Sequence, residues 1–255
     1  LRHAVQRSAV LRELNRVLPP SGPVLNALAR IDPLPALPGP TPDVPPPSDA
    51  VLRQPAVRAA APSVVRVLGT ACGLGVEGSG WVADPGLVVT NAHVVAGQDD
   101  TIVQERGEGP GHAARLVHFD VRNDVAVLEV PGLDAPALPL APAPAAGTAG
   151  AILGFPLNGP FDARPARIGP TRTVLADDAY GRGPLRRSIT TLRGVVRSGN
   201  SGGPVVDRQG RVLSTVFAAT TSGQPGGYGV PNAVVRAALA AARRGVTVSS
   251  GPCTR

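Results

Sequence analysis

Three segments of the chain place a histidine, an aspartate and a serine in settings that suit acyl-transfer chemistry. They are TNAHVV with His93, RNDVAVL with Asp124 and SGNSGGPVV with Ser201. A serine hydroxyl is a poor nucleophile unless a neutral imidazole takes its proton, and a buried carboxylate must hold that imidazole in the right tautomer. The three residue types that such a reaction needs are therefore present.

The glycines around Ser201 have an ordinary interpretation and a chemical one. Gly, Ser, Asn and Pro are the residues that any surface turn prefers. A nucleophile loop needs them too, because Gly199 lets the backbone turn so that its N–H and that of Ser201 point at a developing oxyanion. On this interpretation Gly202 and Gly203 leave room for an approaching peptide.

Other histidines and aspartates compete for these positions. His3 falls in an amino-terminal helical pattern, His112 in a loop rich in Gly and Pro, and His118 lacks the TNAHVV setting. Asp120 precedes VRN, whereas Asp124 opens the apolar run DVAVL, which favours Asp124. The histidines show no H-x-x-x-H or H-x-H pattern, so we predict no metal site and no cofactor.

Short β-branched runs separated by turn residues must position these side chains. The 31 glycines and 29 prolines among 255 residues argue against a helical bundle. Strands at this spacing predict an all-β barrel or sandwich, in which His93 ends one strand-like run and Asp124 begins another. Only residues 232–245 show a helical pattern, with Asn232 as a plausible N-cap.

The amino-terminal part of the chain is organised differently. We predict an amphipathic helical arm over residues 1–31, with its main helix at 4–18 and docking to protein favoured over a membrane surface. Residues 32–54 are a proline-rich linker, expected to be extended and semi-rigid. The main domain is placed at residues 55–255.

The charge distribution restricts the kinds of binding partner that we expect. The formal net charge is +7, carried by arginines, because the chain has no lysine. The densest basic spots, RGPLRR at 182–187 and Arg243-Arg244, have no aromatic stacking platform between them. We therefore predict a solvated basic surface and no nucleic-acid partner.

The two cysteines give information on the redox state of the compartment in which the protein is located. Cys72 and Cys253 lie 181 residues apart and form no C-x-x-C motif. A disulfide between them would close a long loop and would indicate an oxidising, extracytoplasmic compartment. Two reduced thiols are the alternative.

The motifs GSGW, TNAHVV, NDVAVL, GNSGGPVV and YGVPNAVV, within residues 60–245, resemble those of trypsin-like serine proteases, above all the bacterial HtrA-type envelope proteases. This resemblance implies a chymotrypsin-like fold of two six-stranded antiparallel β-barrels with a C-terminal helix. It also implies an endopeptidase in which His93 is general base and acid, Asp124 orients it and Ser201 attacks. The N–H groups of Gly199 and Ser201 would form the oxyanion hole.

The resemblance also places a specificity pocket. In this fold the pocket is built by the residue six before the nucleophile, here Val195, and by the strand 16 to 18 residues after it, here Phe217, Ala218 and Ala219. Because none of these residues is a carboxylate, we expect an uncharged residue before the cleaved bond.

Two departures from the wider family carry further expectations. Asn200 stands where many secreted relatives have an aspartate that accepts the new amino terminus on activation, so activation by that salt bridge is not expected. About ten residues follow the predicted C-terminal helix, so we expect no PDZ-like domain of the kind that HtrA enzymes carry. With the proline-rich arm and the cysteine pair, this resembles the mycobacterial membrane-anchored acid-resistance proteases.

That resemblance implies a membrane segment before residue 1, a periplasmic location, and protein substrates in the cell envelope during acid or other stress. Self-cleavage within residues 1–50 follows as a hypothesis, because the arm offers flexible peptide bonds. The alternative is a catalytically silent, protease-like scaffold that binds envelope proteins or anionic polymers.

Overall fold

The computed structural model of the protein describes residues 30–31, 35–37, 42–221 and 223–254. The helix predicted at 4–18 lies outside these residues. The described strands are β1 (Arg30–Ile31), β2 (Ala36–Leu37), β3 (Val64–Ala71), β4 (Leu74–Asp84), β5 (Leu87–Thr90), β6 (Ile102–Glu105), β7 (His112–Ala113), β8 (Arg115–Asp120), β9 (Val125–Glu129), β10 (Ala149–Gly154), β11 (Asp162–Ala176), β12 (Leu185–Gly194), β13 (Pro204–Asp207), β14 (Val212–Thr220) and β15 (Gly226–Pro231).

The helices of the described part are short. The α-helices are α1 (Pro55–Ala59), α2 (Ala92–Val95) and α3 (Asn232–Ala242), and 3-10 turns occupy Asp49–Arg53, Ala61–Ser63 and Pro156–Asn158. Helix α3 matches the one helical pattern predicted for the main domain. Within the described residues, no helix has the length and apolarity needed to cross a membrane.

Apart from the short β2, which pairs in parallel with β14, the strands form two antiparallel sheets, as the family resemblance implies. The first runs in the order β7, β6, β3, β4, β5, β9, β8. The second runs in the order β13, β10, β11, β12, β15, β14, and β14 pairs back with β13 to close a ring of six strands. The first sheet, as far as it is described, is a half-barrel rather than the closed barrel that we predicted.

Valine-rich strands bury their side chains in and between the two sheets. Strand β9 is buried from Val125 to Leu128. Each fully buried valine or leucine side chain contributes about 1.5–3 kcal/mol to stability. Trp81 of β4 is also fully buried, and its indole N–H donates to Thr215 Oγ1 in β14 at 3.1 Å. This bond fastens one sheet to the other.

Packing on the second sheet begins before residue 55. The side chains of Val44 and Val51 are buried, and Ser48 caps the 3-10 turn that holds Val51 by accepting from Ala50 N at 3.3 Å. Arg193 of β12 donates to the carbonyl of Val44. The boundaries placed at 32 and 55 stay predictions, but contacts with the second sheet start in the proline-rich segment.

The carboxyl-terminal tail is fastened to the first sheet. Cys72 and Cys253 form the disulfide that the sequence favours, with their Cα atoms 6.0 Å apart. Gly97 N donates to Ser250 O at 3.2 Å, and a Cβ at Gly97 would lie 2.5 Å from the backbone nitrogen of Cys253. The tail therefore packs on the segment that follows helix α2.

Candidate active site

The structure brings His93 and Asp124 into direct contact. The Asp124 carboxylate accepts from the His93 backbone N–H at 3.0 Å and lies 2.7 Å from His93 Nδ1, with both side chains buried. Because an ionised carboxylate only accepts hydrogen bonds, Nδ1 carries the ring proton. The Nε2 lone pair is then the one that is able to take a proton from a nucleophile.

Local structure fixes both partners of this dyad. His93 lies in the one-turn helix α2 that follows β5, so our prediction that it ends a strand was wrong. Asp124 precedes β9 with a φ of 57°, a left-handed conformation that is uncommon outside glycine. The Asn91 side chain donates to the Asp124 carbonyl at 2.8 Å and holds this conformation.

The charge state of Asp124 follows from its surroundings. Burial raises the pKa of this carboxyl, but the charge and hydrogen bonds of His93, together with the charge of Arg187, outweigh burial and place the pKa below its usual value. Asp124 is therefore an anion at neutral pH. An anion at this position is able to stabilise an imidazolium at His93.

Ser201 lies in a tightly packed loop near helix α2. Its side chain is fully buried, and its carbonyl accepts from Ser79 N at 2.7 Å. A Cβ at Gly78 would be 2.8 Å from Val94, the neighbour of His93, and 3.1 Å from the Ser201 carbonyl. Helix α2 and the nucleophile loop therefore approach each other across a glycine.

The glycines of the loop are required by its conformation and packing. Gly199 has a φ of 89°, and a Cβ there would lie 2.3 Å from the Phe155 carbonyl. Gly202 has a φ of 81°, and its Cβ would lie 2.1 Å from the Ser79 carbonyl. Our interpretation that Gly202 makes room for substrate was wrong, because it makes room for strand β4.

Ser79 is a site residue that our sequence reasoning missed. Its hydroxyl donates to the Gly199 carbonyl at 2.6 Å and accepts from Phe155 N at 2.9 Å, while its N–H holds Ser201. Ser79 thus holds the loop at Gly199 through its side chain and at Ser201 through its backbone. The signal was a small polar residue in GSGW, directly before the buried Trp81.

Asn200 has a role inside the loop. It is buried, and its Oδ1 accepts from Arg197 N at 2.9 Å, which closes the turn before Ser201. The neutral side chain is satisfied there by a neighbouring backbone N–H.

The four predicted specificity residues differ in their exposure to solvent. Val195 is 40% exposed, whereas Ala218 and Phe217 are buried at 0% and 1%. The Phe217 ring is covered by the Arg187 guanidinium, whose carbon lies 4.4 Å from the ring centroid. Ala219 is partly exposed, and its N–H donates to the Pro35 carbonyl at 3.1 Å.

The histidines and the aspartate that competed with His93 and Asp124 in the sequence have other surroundings in the structure. Asp120 accepts from Asn123 through both carboxylate oxygens, and His112 lies 3.4 Å from Glu105. Burial lowers the pKa of His118, a half-buried residue of β8. Across the described residues, no group of three or more His, Cys, Asp and Glu side chains is arranged to hold a metal ion.

The half-barrel carries a buried His-Asp pair, and the closed ring carries a glycine-lined serine loop. This combination defines a chymotrypsin-like peptidase domain. The family model for the trypsin-like peptidase domain matches residues 78–214. The chain therefore belongs to the trypsin-like peptidase family, as its motifs predict.

Individual relatives agree. The serine protease Rv3671c of Mycobacterium tuberculosis (strain ATCC 25618 / H37Rv) is 38% identical over 265 residues, covering 98% of this chain and 66% of its own length. A probable periplasmic DegP-like serine endoprotease of Halomonas elongata is 32% identical, covering 53% of this chain and 28% of its own length. The predicted resemblance to a mycobacterial serine protease is confirmed.

Solved structures support the fold. The active form of the M. tuberculosis Rv3671c protease superposes with a TM-score of 0.79 at 36% identity, covering 87% of this chain and 98% of that one. The HtrA-type protease AlgW with a tripeptide gives 0.67 at 26% identity, covering 79% and 65%. The chymotrypsin-like fold is confirmed.

Proposed function

We propose that this protein is a serine endopeptidase that cleaves protein substrates through an acyl-enzyme. The observation that carries the proposal is the buried His93–Asp124 pair, whose hydrogen bond fixes the tautomer that a general base needs. Ser201 supplies the nucleophile, and the N–H groups of Gly199 and Ser201 are assigned to the oxyanion hole.

The test is hydrolysis of an unfolded, fluorescently quenched protein by wild type and by Ser201→Ala. Wild type releases fragments with new amino termini, and Ser201→Ala releases none. Equal fragment release by both proteins would show that a contaminant or another residue does the cleavage. Intact substrate with a folded wild type would favour the scaffold alternative.

The specificity residues support a preference for an uncharged residue before the cleaved bond. Val195 is accessible, and neither it nor the buried Phe217 and Ala218 carries a carboxylate that would attract a basic side chain. A peptide library that varies only this residue measures the preference. Preferred cleavage after Arg or Lys would contradict it.

The arm is proposed as a substrate of the same site. Strand β2 pairs in parallel with the end of β14, where Ala36 faces Ala219. The linker segment at 36–37 thus lies along the strand proposed to hold substrate. Wild type is expected to shorten itself within residues 1–50 while Ser201→Ala stays intact, and identical fragment patterns would remove this part of the proposal.

A periplasmic location and a role in acid or stress resistance complete the proposal. The disulfide supports an oxidising compartment. Membrane attachment through a segment before residue 1 is proposed from the resemblance to mycobacterial envelope proteases. A strain that carries Ser201→Ala should survive acidified medium less well than wild type and grow equally at neutral pH; equal survival would contradict the acid role.

A further inference from the structure

Arg187 is a buried cation next to the candidate dyad. The sequence places it in RGPLRR, which we predicted to be solvated surface. On strand β12 the side chains alternate, so that Arg186 is exposed while Arg187 is only 4% exposed. A buried guanidinium is costly unless its surroundings balance its charge, so its position calls for an explanation.

The contacts of Arg187 join the two sheets at the catalytic turn. Its Nη2 donates to the Asn123 carbonyl at 2.8 Å and its Nη1 to the Asp177 carbonyl at 3.1 Å. Its planar face lies on Phe217, a cation–π contact. Strand β12 belongs to the second sheet, whereas Asn123 precedes the first-sheet strand β9, so the side chain bridges the sheets.

The Asn123–Asp124 turn needs such support. Asp124 adopts a left-handed backbone, a conformation that residues other than glycine adopt uncommonly. Two successive carbonyls of this turn are held: Arg187 donates to that of Asn123, and Asn91 donates to that of Asp124. The orientation of the carboxylate toward His93 depends on this turn.

The charge of Arg187 acts on the same carboxylate. Burial lowers the pKa of Arg187, and the carboxylates that face it, Asp124, Asp120 and Asp178, raise it. An arginine remains charged in proteins under these influences. In return, Arg187 is one of the groups that hold the pKa of Asp124 below its usual value.

We propose that Arg187 is a positioning residue for the candidate catalytic aspartate: its hydrogen bond to the Asn123 carbonyl fixes the Asn123–Asp124 turn, its bond to the Asp177 carbonyl anchors the guanidinium, and its charge favours the ionised carboxylate that orients His93. The inference rests on the proposed peptidase function. It assigns to one side chain both the geometry and the electrostatics of the dyad.

The test compares Arg187→Met with Arg186→Met. The two variants lose the same side chain at adjacent positions, one buried and one exposed. For Arg187→Met we expect kcat to fall at least about tenfold with KM changed less than about twofold, because the turn positions a catalytic group rather than substrate. Arg186→Met should keep the wild-type kcat.

The pH profile separates this role from a merely structural one. Removing a nearby positive charge raises the proton affinity of the His93–Asp124 pair, so the acid limb of kcat/KM should move up by about one pH unit in Arg187→Met. Arg187→Met with the kcat and the acid limb of Arg186→Met would overturn the inference.

Arg187→Lys keeps the inference falsifiable if Arg187→Met does not fold. A lysine retains the charge, but its ammonium is not a planar fork that reaches both carbonyls. We expect a wild-type acid limb and a lowered kcat. A wild-type kcat in Arg187→Lys would show that the two-carbonyl contact is not needed.

NMR titration of the His93 imidazole distinguishes failure of this inference from failure of the proposed function. It requires a folded protein but no activity. If wild type cleaves nothing, the proposed function fails, while an unchanged His93 titration in Arg187→Met would separately reject the electrostatic role of Arg187.

Discussion

Replacing Asp124 by asparagine changes one atom and reverses one hydrogen bond. Wild-type Asp124 accepts two bonds from His93, from the backbone N–H at 3.0 Å and from Nδ1 at 2.7 Å. A carboxamide has one oxygen to accept and one NH₂ group that only donates. One of the two bonds must therefore be lost or inverted.

The geometry decides which bond is inverted. The backbone N–H of His93 cannot become an acceptor, so the amide oxygen stays with it and the NH₂ group faces Nδ1. The imidazole then moves its proton to Nε2, which leaves no lone pair to accept the serine proton. In the Ser-His-Asp mechanism this wrong tautomer lowers kcat about 10⁴-fold, or about 5 kcal/mol of transition-state stabilisation.

The assay measures kcat and KM for a quenched peptide, with Asp84→Asn as the matched control. Asp84 lies at the end of β4 and pairs with exposed Arg243 at 3.1 Å. Asp84→Asn should stay within about threefold of wild type, since it removes only an exposed ion pair. A kcat for Asp124→Asn within tenfold of wild type, or an equal loss in both variants, would refute the assignment of Asp124.

Three further predictions follow from the same contacts. Ser79→Ala leaves the buried Gly199 carbonyl and Phe155 N–H without their shared partner, so kcat should fall at least about tenfold with little change in KM. The control is Ser214→Ala, which should keep its kcat because the Ser214 hydroxyl bonds Val230 in the second sheet. Equal kcat in both variants would contradict this prediction. Replacing both cysteines by serine should lower the free energy of unfolding in denaturant titrations by up to about 5 kcal/mol, because the disulfide spans 181 residues, and an unchanged midpoint would contradict it. Activity should fall on acidification, because a protonated imidazole is unable to accept the Ser201 proton, and a flat profile down to about pH 4 would contradict this.

Much of the fold was predictable because its signals are local. Alternating valine-rich runs with glycine and proline between them predicted most strands of both sheets, and the pattern from Asn232 predicted helix α3. The one-turn helix α2 was not predictable from NAHVV, since β-branched residues favour strands and this turn is fixed by Asp124 bonding the His93 backbone. Tertiary contacts override propensity there.

The candidate catalytic residues were predictable from the sequence, whereas the residues that support them were only partly so. His93, Asp124 and Ser201 each lie in a sequence motif that is typical of trypsin-like serine proteases. Arg187 looks like one arginine of a basic surface until the alternation along β12 is known, and Ser79 looks like a turn residue until strand β4 meets the nucleophile loop. Contacts between sheets, which no local pattern encodes, give both residues their roles.

Covalent labelling with a serine-directed fluorophosphonate tests the central claim most directly. The oxidised, folded protein should be labelled with one equivalent at neutral pH, and mass spectrometry should place the label on Ser201. Ser201→Ala should remain unlabelled. A folded wild-type protein that resists the reagent, or that carries the label on another residue, would contradict an active Ser201–His93–Asp124 site.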